Sequence, residues 1–211
     1  ININMISLNN ISKSFSNKSS QQVLKNISLE IQEGHIYGFY GANGSGKTTL
    51  FKILSNLLLC DSGTVNFRSK NDQIAYVGNN PRSFINRLSA RQNLEFFSTI
   101  RTGEKFNVSD DLFNLLEQLN LYKILDKKVS EFSAGQIQKL SLVRSFLYKS
   151  NIYIFDETFA SIDDSSTEIA LNYIKKGLKN NLIKNIIISS HDLNFLKENT
   201  DKIFYMEDIN N

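Results

Sequence analysis

Ile36-Tyr37-Gly38-Phe39-Tyr40-Gly41-Ala42-Asn43-Gly44-Ser45-Gly46-Lys47-Thr48-Thr49-Leu50 is the stretch on which the fold turns. It opens as an apolar run, the pattern of a buried strand. It leads into Leu50, Ile53, Leu54, Leu57 and Leu58, whose spacing predicts a helix. Between the two, Gly41 to Thr48 fits G-x-x-x-x-G-K-[ST], the phosphate-binding loop. The chemistry accounts for the spacing. Gly41, Gly44 and Gly46, with Asn43 and Ser45 among them, let the backbone curl so that successive N–H groups face phosphate oxygens. The helix that follows adds its positive N-terminus. Lys47 can reach the β- and γ-phosphates, and the Thr48 hydroxyl can ligate Mg2+. Strand, glycine loop and helix in that order predict nucleotide binding.

Outward from this stretch, alternation at Ile27, Leu29 and Ile31 predicts a half-buried strand, and Thr64 to Phe67 and Ile74 to Val77 predict two more. From about Ser89 to Leu125 the periodicity is wholly helical. Ser89 with Gln92 reads as a capping box, and Leu112, Leu115, Leu116 and Leu119 mark one helix face. A second box, Ser133 with Gln136, opens a helix through Leu140, Val143 and Leu147. Strands return at Ile152 to Phe155, Ile186 to Ser189 and Ile203 to Met206, with a helix from about Ser165 to Leu178 between the first two. Strands alternating with helices predict an α/β sheet with parallel crossovers. The chain is expected to form one domain over residues 1–211, with a helical subdomain at about 82–145 inserted in the α/β core.

Composition narrows the chemistry. The 211 residues are 41% hydrophobic and 21% charged, a globular balance, and the net charge of +3 is too small to argue for nucleic acid. One cysteine, Cys60, excludes an internal disulfide framework and a multi-thiolate metal site. With only His35 and His191, a histidine-type zinc centre is not expected. No apolar run approaches the ~20 residues that cross a bilayer. Ile1 to Leu8 has neither the basic nor the long apolar region of a secretory signal, so a soluble protein of a reducing compartment is expected. Asn17-Lys18-Ser19-Ser20 breaks the guanine-specifying N-K-x-D pattern, which argues against a GTPase switch.

Ile152-Tyr153-Ile154-Phe155-Asp156-Glu157 sets two acids after four apolar residues. On a buried strand that order delivers carboxylates to the carboxyl edge of the sheet, where α/β folds bind ligands. Asp156 is placed to hold the Mg2+ shell, and Glu157 to orient or deprotonate an attacking water. Phe132-Ser133-Ala134-Gly135-Gln136 precedes that strand by one helix, and Ser133 caps a helix whose free N–H groups make an anion site.

Phe132 to Gln136 resembles the signature L-S-G-G-Q of ATP-binding cassette (ABC) ATPases. Ala160-Ser161-Ile162-Asp163 resembles that family's D-loop, and His191 in Ser189-Ser190-His191-Asp192 its switch histidine. Phe15 occupies the place of the aromatic that stacks on adenine. The resemblance covers nearly the whole chain and implies a P-loop NTPase sheet core with an N-terminal antiparallel β subdomain and the inserted α-helical subdomain. It further implies ATP and Mg2+ bound between two head-to-tail cassettes, the second being the same or a homologous chain. Gly44, Gly46, Lys47, Thr48 and Thr49 would hold phosphates and metal in cis, while Ser133, Gly135 and Gln136 would contact the γ-phosphate in trans. Glu157 would act on water and His191 would steady the γ-phosphate. Integral-membrane transporter subunits are the implied partners, with the cassette cytoplasmic on the inner face of the membrane.

Leu88-Ser-Ala-Arg-Gln-Asn-Leu-Glu-Phe-Phe97 resembles the L-T-x-R-E-N-L-x-F-F pattern of exporter cassettes, so export is expected. The alternative is a soluble cassette acting in cofactor assembly, translation or repair. Two positions depart from the family. Tyr76-Val77-Gly78-Asn79 stands where Tyr-Val-Pro-Gln is usual, so Asn79, expected on the metal side, is one methylene shorter, with Asn80 as another occupant. Thr158 replaces the proline after the catalytic glutamate, which is expected to loosen that turn.

Overall fold

Side chains alternate along the central strands and so build a core on each face of one parallel sheet. The computed structural model describes residues 4–17, 19–79, 84–103, 109–148 and 150–210. Asn80 and the start of the expected helical insertion therefore lie outside the described residues. Strands β3 (Ile36–Tyr40), β5 (Ile74–Gly78), β6 (Ile152–Asp156), β7 (Asn185–Ser190) and β8 (Lys202–Tyr205) form the sheet in the order β5-β6-β7-β3-β8, all parallel. Tyr37, Phe39, Ile152, Ile154 and Ile187 point to one core, and Ile36, Tyr153, Phe155, Ile186 and Ile188 to the other. A strand apolar on both faces is what a parallel sheet covered on both sides requires.

One cover is an antiparallel sheet, β2-β1-β4, of β1 (Asn4–Asn17), β2 (Ser19–Gln32) and β4 (Ser62–Phe67). Met5, Leu8, Ile11, Leu24, Ile27 and Ile31 of that sheet share a core with Leu50, Phe51 and Leu54 of helix α1 (Lys47–Leu54). The other cover is helical: α2 (Ala90–Thr102), α3 (Asp110–Gln118), α4 (Ala134–Ser145), α5 (Asp164–Lys179) and α6 (Leu193–Asn199). Their apolar faces, with Leu94, Leu115, Leu116, Leu140, Val143, Leu171 and Leu196, close the second core. Both capping boxes form as the sequence predicts, Ser89 with Gln92 opening α2 and Ser133 with Gln136 opening α4.

Several boundaries differ from the sequence reading: α4 ends at Ser145, short of Leu147, and two further ends shift as well. Helix α1 stops at Leu54, because Asn56 turns left-handed (φ 56°), which leaves Leu57 62% exposed and off the helix face. Asn tolerates that conformation better than other residues with a side chain. Strand β8 ends at Tyr205, and Met206 begins the short α7 (Met206–Ile209). No helix among the described residues is long and apolar enough to cross a membrane.

Candidate functional site

Register alone brings the site together. The parallel pairing sets Gly78 opposite Asp156 and Asp156 opposite Ser189, while Tyr40, the last residue before the glycine loop, lies opposite Ser190. Four strand ends thus meet at one edge. The loop after β3 carries left-handed glycines at Gly44 (φ 85°) and Gly46 (φ 100°), and at Gly46 a Cβ would meet Leu24 at 2.7 Å. Only glycine fits there. No side chain caps α1, so its first N–H groups stay with the loop.

Lys47, 4% exposed, bends back and donates to the carbonyls of Gly41 (2.6 Å) and Ala42 (3.0 Å). Its ammonium also lies 3.3 Å from Glu157 Oε1. Asp156, also 4% exposed, accepts three hydroxyls. Thr48 Oγ1 (2.7 Å) and the Tyr76 hydroxyl (2.9 Å) donate to its Oδ2, and Ser189 Oγ (2.8 Å) donates to Oδ1. The same Ser189 oxygen accepts from the Glu157 backbone N–H at 3.0 Å, which fixes the step from Asp156 to Glu157. Burial, then the charge of Asp156, push the Tyr76 phenol well above its ordinary range, so it stays a donor. Tyr76 and Ser189 went unread as site residues, although the strand register points to Ser189.

Glu157 is left-handed (φ 50°), a conformation uncommon for a residue with a Cβ, and it starts a 3-10 turn at Thr158–Ser161. The expected loosening by Thr158 does not occur. Its buried hydroxyl donates to the Val77 carbonyl at 2.8 Å, tying the turn to β5. Asn79 Oδ1 accepts from Ser161 Oγ at 3.1 Å, which ties the end of β5 to the turn after β6. His191 lies exposed just past β7, and Phe15 is 37% exposed on β1 with Lys13 Nζ 5.7 Å from its ring.

The signature residues form an exposed helix end. Ser133 Oγ accepts from the Gln136 N–H, and Gln136 Oε1 accepts from the Ser133 N–H. That exchange leaves the N–H groups of Ala134 and Gly135 at the start of α4 for an outside anion. Helix α4 is anchored to the rest of the site at two points. Gln138 donates to the Gly78 carbonyl (3.1 Å), and Lys139 pairs with Asp163 (2.7 Å). That ammonium, with the Ser166 N–H and nearby hydroxyls, holds the Asp163 carboxyl well below its usual range.

The model of the ABC transporter family matches residues 24–160. The chain belongs to the ABC transporter family. Among curated relatives, the cassette is 31% identical to the zinc import ATP-binding protein ZnuC of Buchnera aphidicola, over 94% of this chain and 79% of that one. It is 28% identical to the uncharacterised ABC transporter ATP-binding protein YhaQ of Bacillus subtilis, over 92% of this chain but 65% of the relative's length. In fold it matches the dimeric ATP-binding cassette MJ0796, solved in a post-hydrolysis state with ADP and phosphate, with a TM-score of 0.82 at 22% identity. That match covers 95% of this chain and 94% of the other. The cassette is accordingly an ABC ATPase that binds ATP.

Proposed function

We propose that the cassette hydrolyses Mg-ATP between its own glycine loop and the signature residues of a second cassette, and that hydrolysis drives transport through separate membrane subunits. The observation that carries the reading is the Thr48–Asp156–Ser189–Glu157 chain of hydrogen bonds at the mouth of the glycine loop. The residues suit a nucleotide with its metal. Ser45 Oγ is buried in the loop without a hydrogen-bond partner among the described residues, and Thr48 and Asp156 present hard oxygen donors side by side. Mg2+ held by Thr48 and Asp156 would neutralise phosphate charge.

The residues of this chain then divide the work. Gly41 to Thr49 bind the phosphates, and Phe15 offers an accessible ring to a base. Lys47 exchanges the Gly41 and Ala42 carbonyls and Glu157 for phosphate oxygens. That exchange releases the Glu157 carboxylate, which is then placed to take a proton from water. Ser133, Gly135 and Gln136 present an anion site on the surface, suited to the γ-phosphate of a nucleotide held by the other cassette. The helical segment at about 82–145 is the proposed docking face for the membrane subunits, which would hold the cassette on the cytoplasmic side. Export, expected from Leu88 to Phe97, gains nothing from the relatives: those whose names print a direction, such as ZnuC, print import, and others, such as YhaQ, print none. The reading therefore stops at transport.

Two experiments test it. Lys47→Ala should weaken ATP binding at least tenfold in a fluorescent-nucleotide titration; unchanged affinity would contradict the loop assignment. Pull-down of the tagged chain from detergent-solubilised native membranes should bring down a stoichiometric multi-span protein. Soluble partners alone would favour a cassette without a membrane subunit.

A further inference from the structure

A polar side chain outside every motif reaches the glycine loop. Asn210, just past α7, donates through Nδ2 to the Val23 carbonyl (2.8 Å) and to the Ser45 carbonyl (3.3 Å), while its Oδ1 accepts from the Lys25 N–H (2.8 Å). Its own backbone N–H donates to the Met206 carbonyl at 3.0 Å, which fixes where the side chain starts. The amide thus caps β2 on both sides of Leu24 and extends one further bond to the loop. Leu24 is also the residue that a Cβ on Gly46 would strike, with Val23 O next at 3.2 Å. Asn210 therefore sits at the seam where the antiparallel sheet meets the loop.

The Ser45 carbonyl belongs to the same peptide plane as the Gly46 N–H, and in a trans peptide the two point to opposite sides. Holding the carbonyl toward Asn210 aims the Gly46 N–H away from Asn210. Gly46 is left-handed and lacks a Cβ, so no side chain of its own restricts that plane. We infer that Asn210 is a positioning residue for the nucleotide: it sets the orientation of the Ser45–Gly46 peptide and hence of a phosphate-binding N–H. The inference rests on the nucleotide reading above and adds a residue from the far end of the chain to it.

The test compares Asn210→Ala with the wild-type full chain in titrations with fluorescent ATP and ADP, in steady-state kinetics and in thermal denaturation. Loss of this hydrogen bond should weaken both nucleotides about fivefold and raise KM for ATP by the same factor with kcat unchanged. A purely structural tether would lower the melting temperature and leave nucleotide affinity of the folded protein within twofold, and that result overturns the inference. Should Asn210→Ala fold poorly, Asn210→Asp keeps the oxygen that accepts from Lys25 but donates nothing. Read at high salt, where its added charge is screened, it should show the same loss of affinity, and wild-type affinity there would overturn the inference. A wild-type chain that failed to bind Mg-ATP would sink the nucleotide reading and this inference with it. A wild type that binds, with variants unchanged, sinks the inference alone.

Discussion

Asp156 accepts three hydroxyls, and two of the donors, Tyr76 and Ser189, belong to residues that no spacing singles out as ligands. Thr48 and Asp156 were legible because a loop motif and a strand ending in acids announce them locally. Tyr76 was not, since its hydroxyl reaches Asp156 only once β5 and β6 lie side by side, a tertiary fact. Tyr76→Phe removes one of two donors to Oδ2 while keeping the ring. It should weaken ATP binding in the presence of Mg2+ by roughly tenfold to a hundredfold, the worth of one hydrogen bond to a charged group, and leave Mg2+-free binding unchanged. A titration with and without the metal checks this; equal losses in both would make Tyr76 a packing residue only. The residue after Glu157 teaches the opposite lesson. A missing proline reads as slack in the sequence, yet Thr158 ties the turn by its side chain instead. Thr158→Val would leave the Val77 carbonyl without that partner and should cost about 1–3 kcal/mol in urea unfolding.

At the scale of elements, two short connections converge on the end of β5, and a third joins their far ends. Gln138 of α4 donates to the Gly78 carbonyl, Ser161 of the 3-10 turn donates to Asn79, and Gly135 lies so near Ser161 that a Cβ would meet its carbonyl at 3.4 Å. The signature helix, the end of β5 and the D-loop therefore form one mechanical unit, closed on its other side by Lys139 and Asp163. The sequence predicts each of these elements and both capping boxes, but not their linkage, because a buried glutamine such as Gln138 looks like any other helical residue. Asp163 gives the unit a pH signature. Its folded pKa is depressed, first by Lys139, so its stabilising effect is complete above the ordinary carboxylate range and is lost as pH falls from that range toward the lowered folded pKa. Wild type should unfold at higher urea than Asp163→Asn near neutral pH, with the gap narrowing below about pH 4. A gap that persisted at low pH would show that the ion pair contributes nothing.

For the whole molecule, the sequence was sufficient for the parallel sheet, because β3, β6 and β7 are written largely as apolar runs, and for the family, because its motifs stand in order along the chain. The end of α1 was misread for a physical reason: Leu57 and Leu58 keep helical spacing past a left-handed Asn56 that terminates the helix. What no single chain displays is the completed site, since the signature residues face outward at the start of α4. The central claim is that ATP joins two cassettes through those residues. Its most direct test is light scattering of Glu157→Gln, which keeps the loop and the proposed metal ligands but removes the proposed base, with and without Mg-ATP. The account predicts a monomer that doubles its mass with Mg-ATP and returns to monomer when nucleotide is removed. A variant that binds Mg-ATP and stays monomeric at saturation would contradict it.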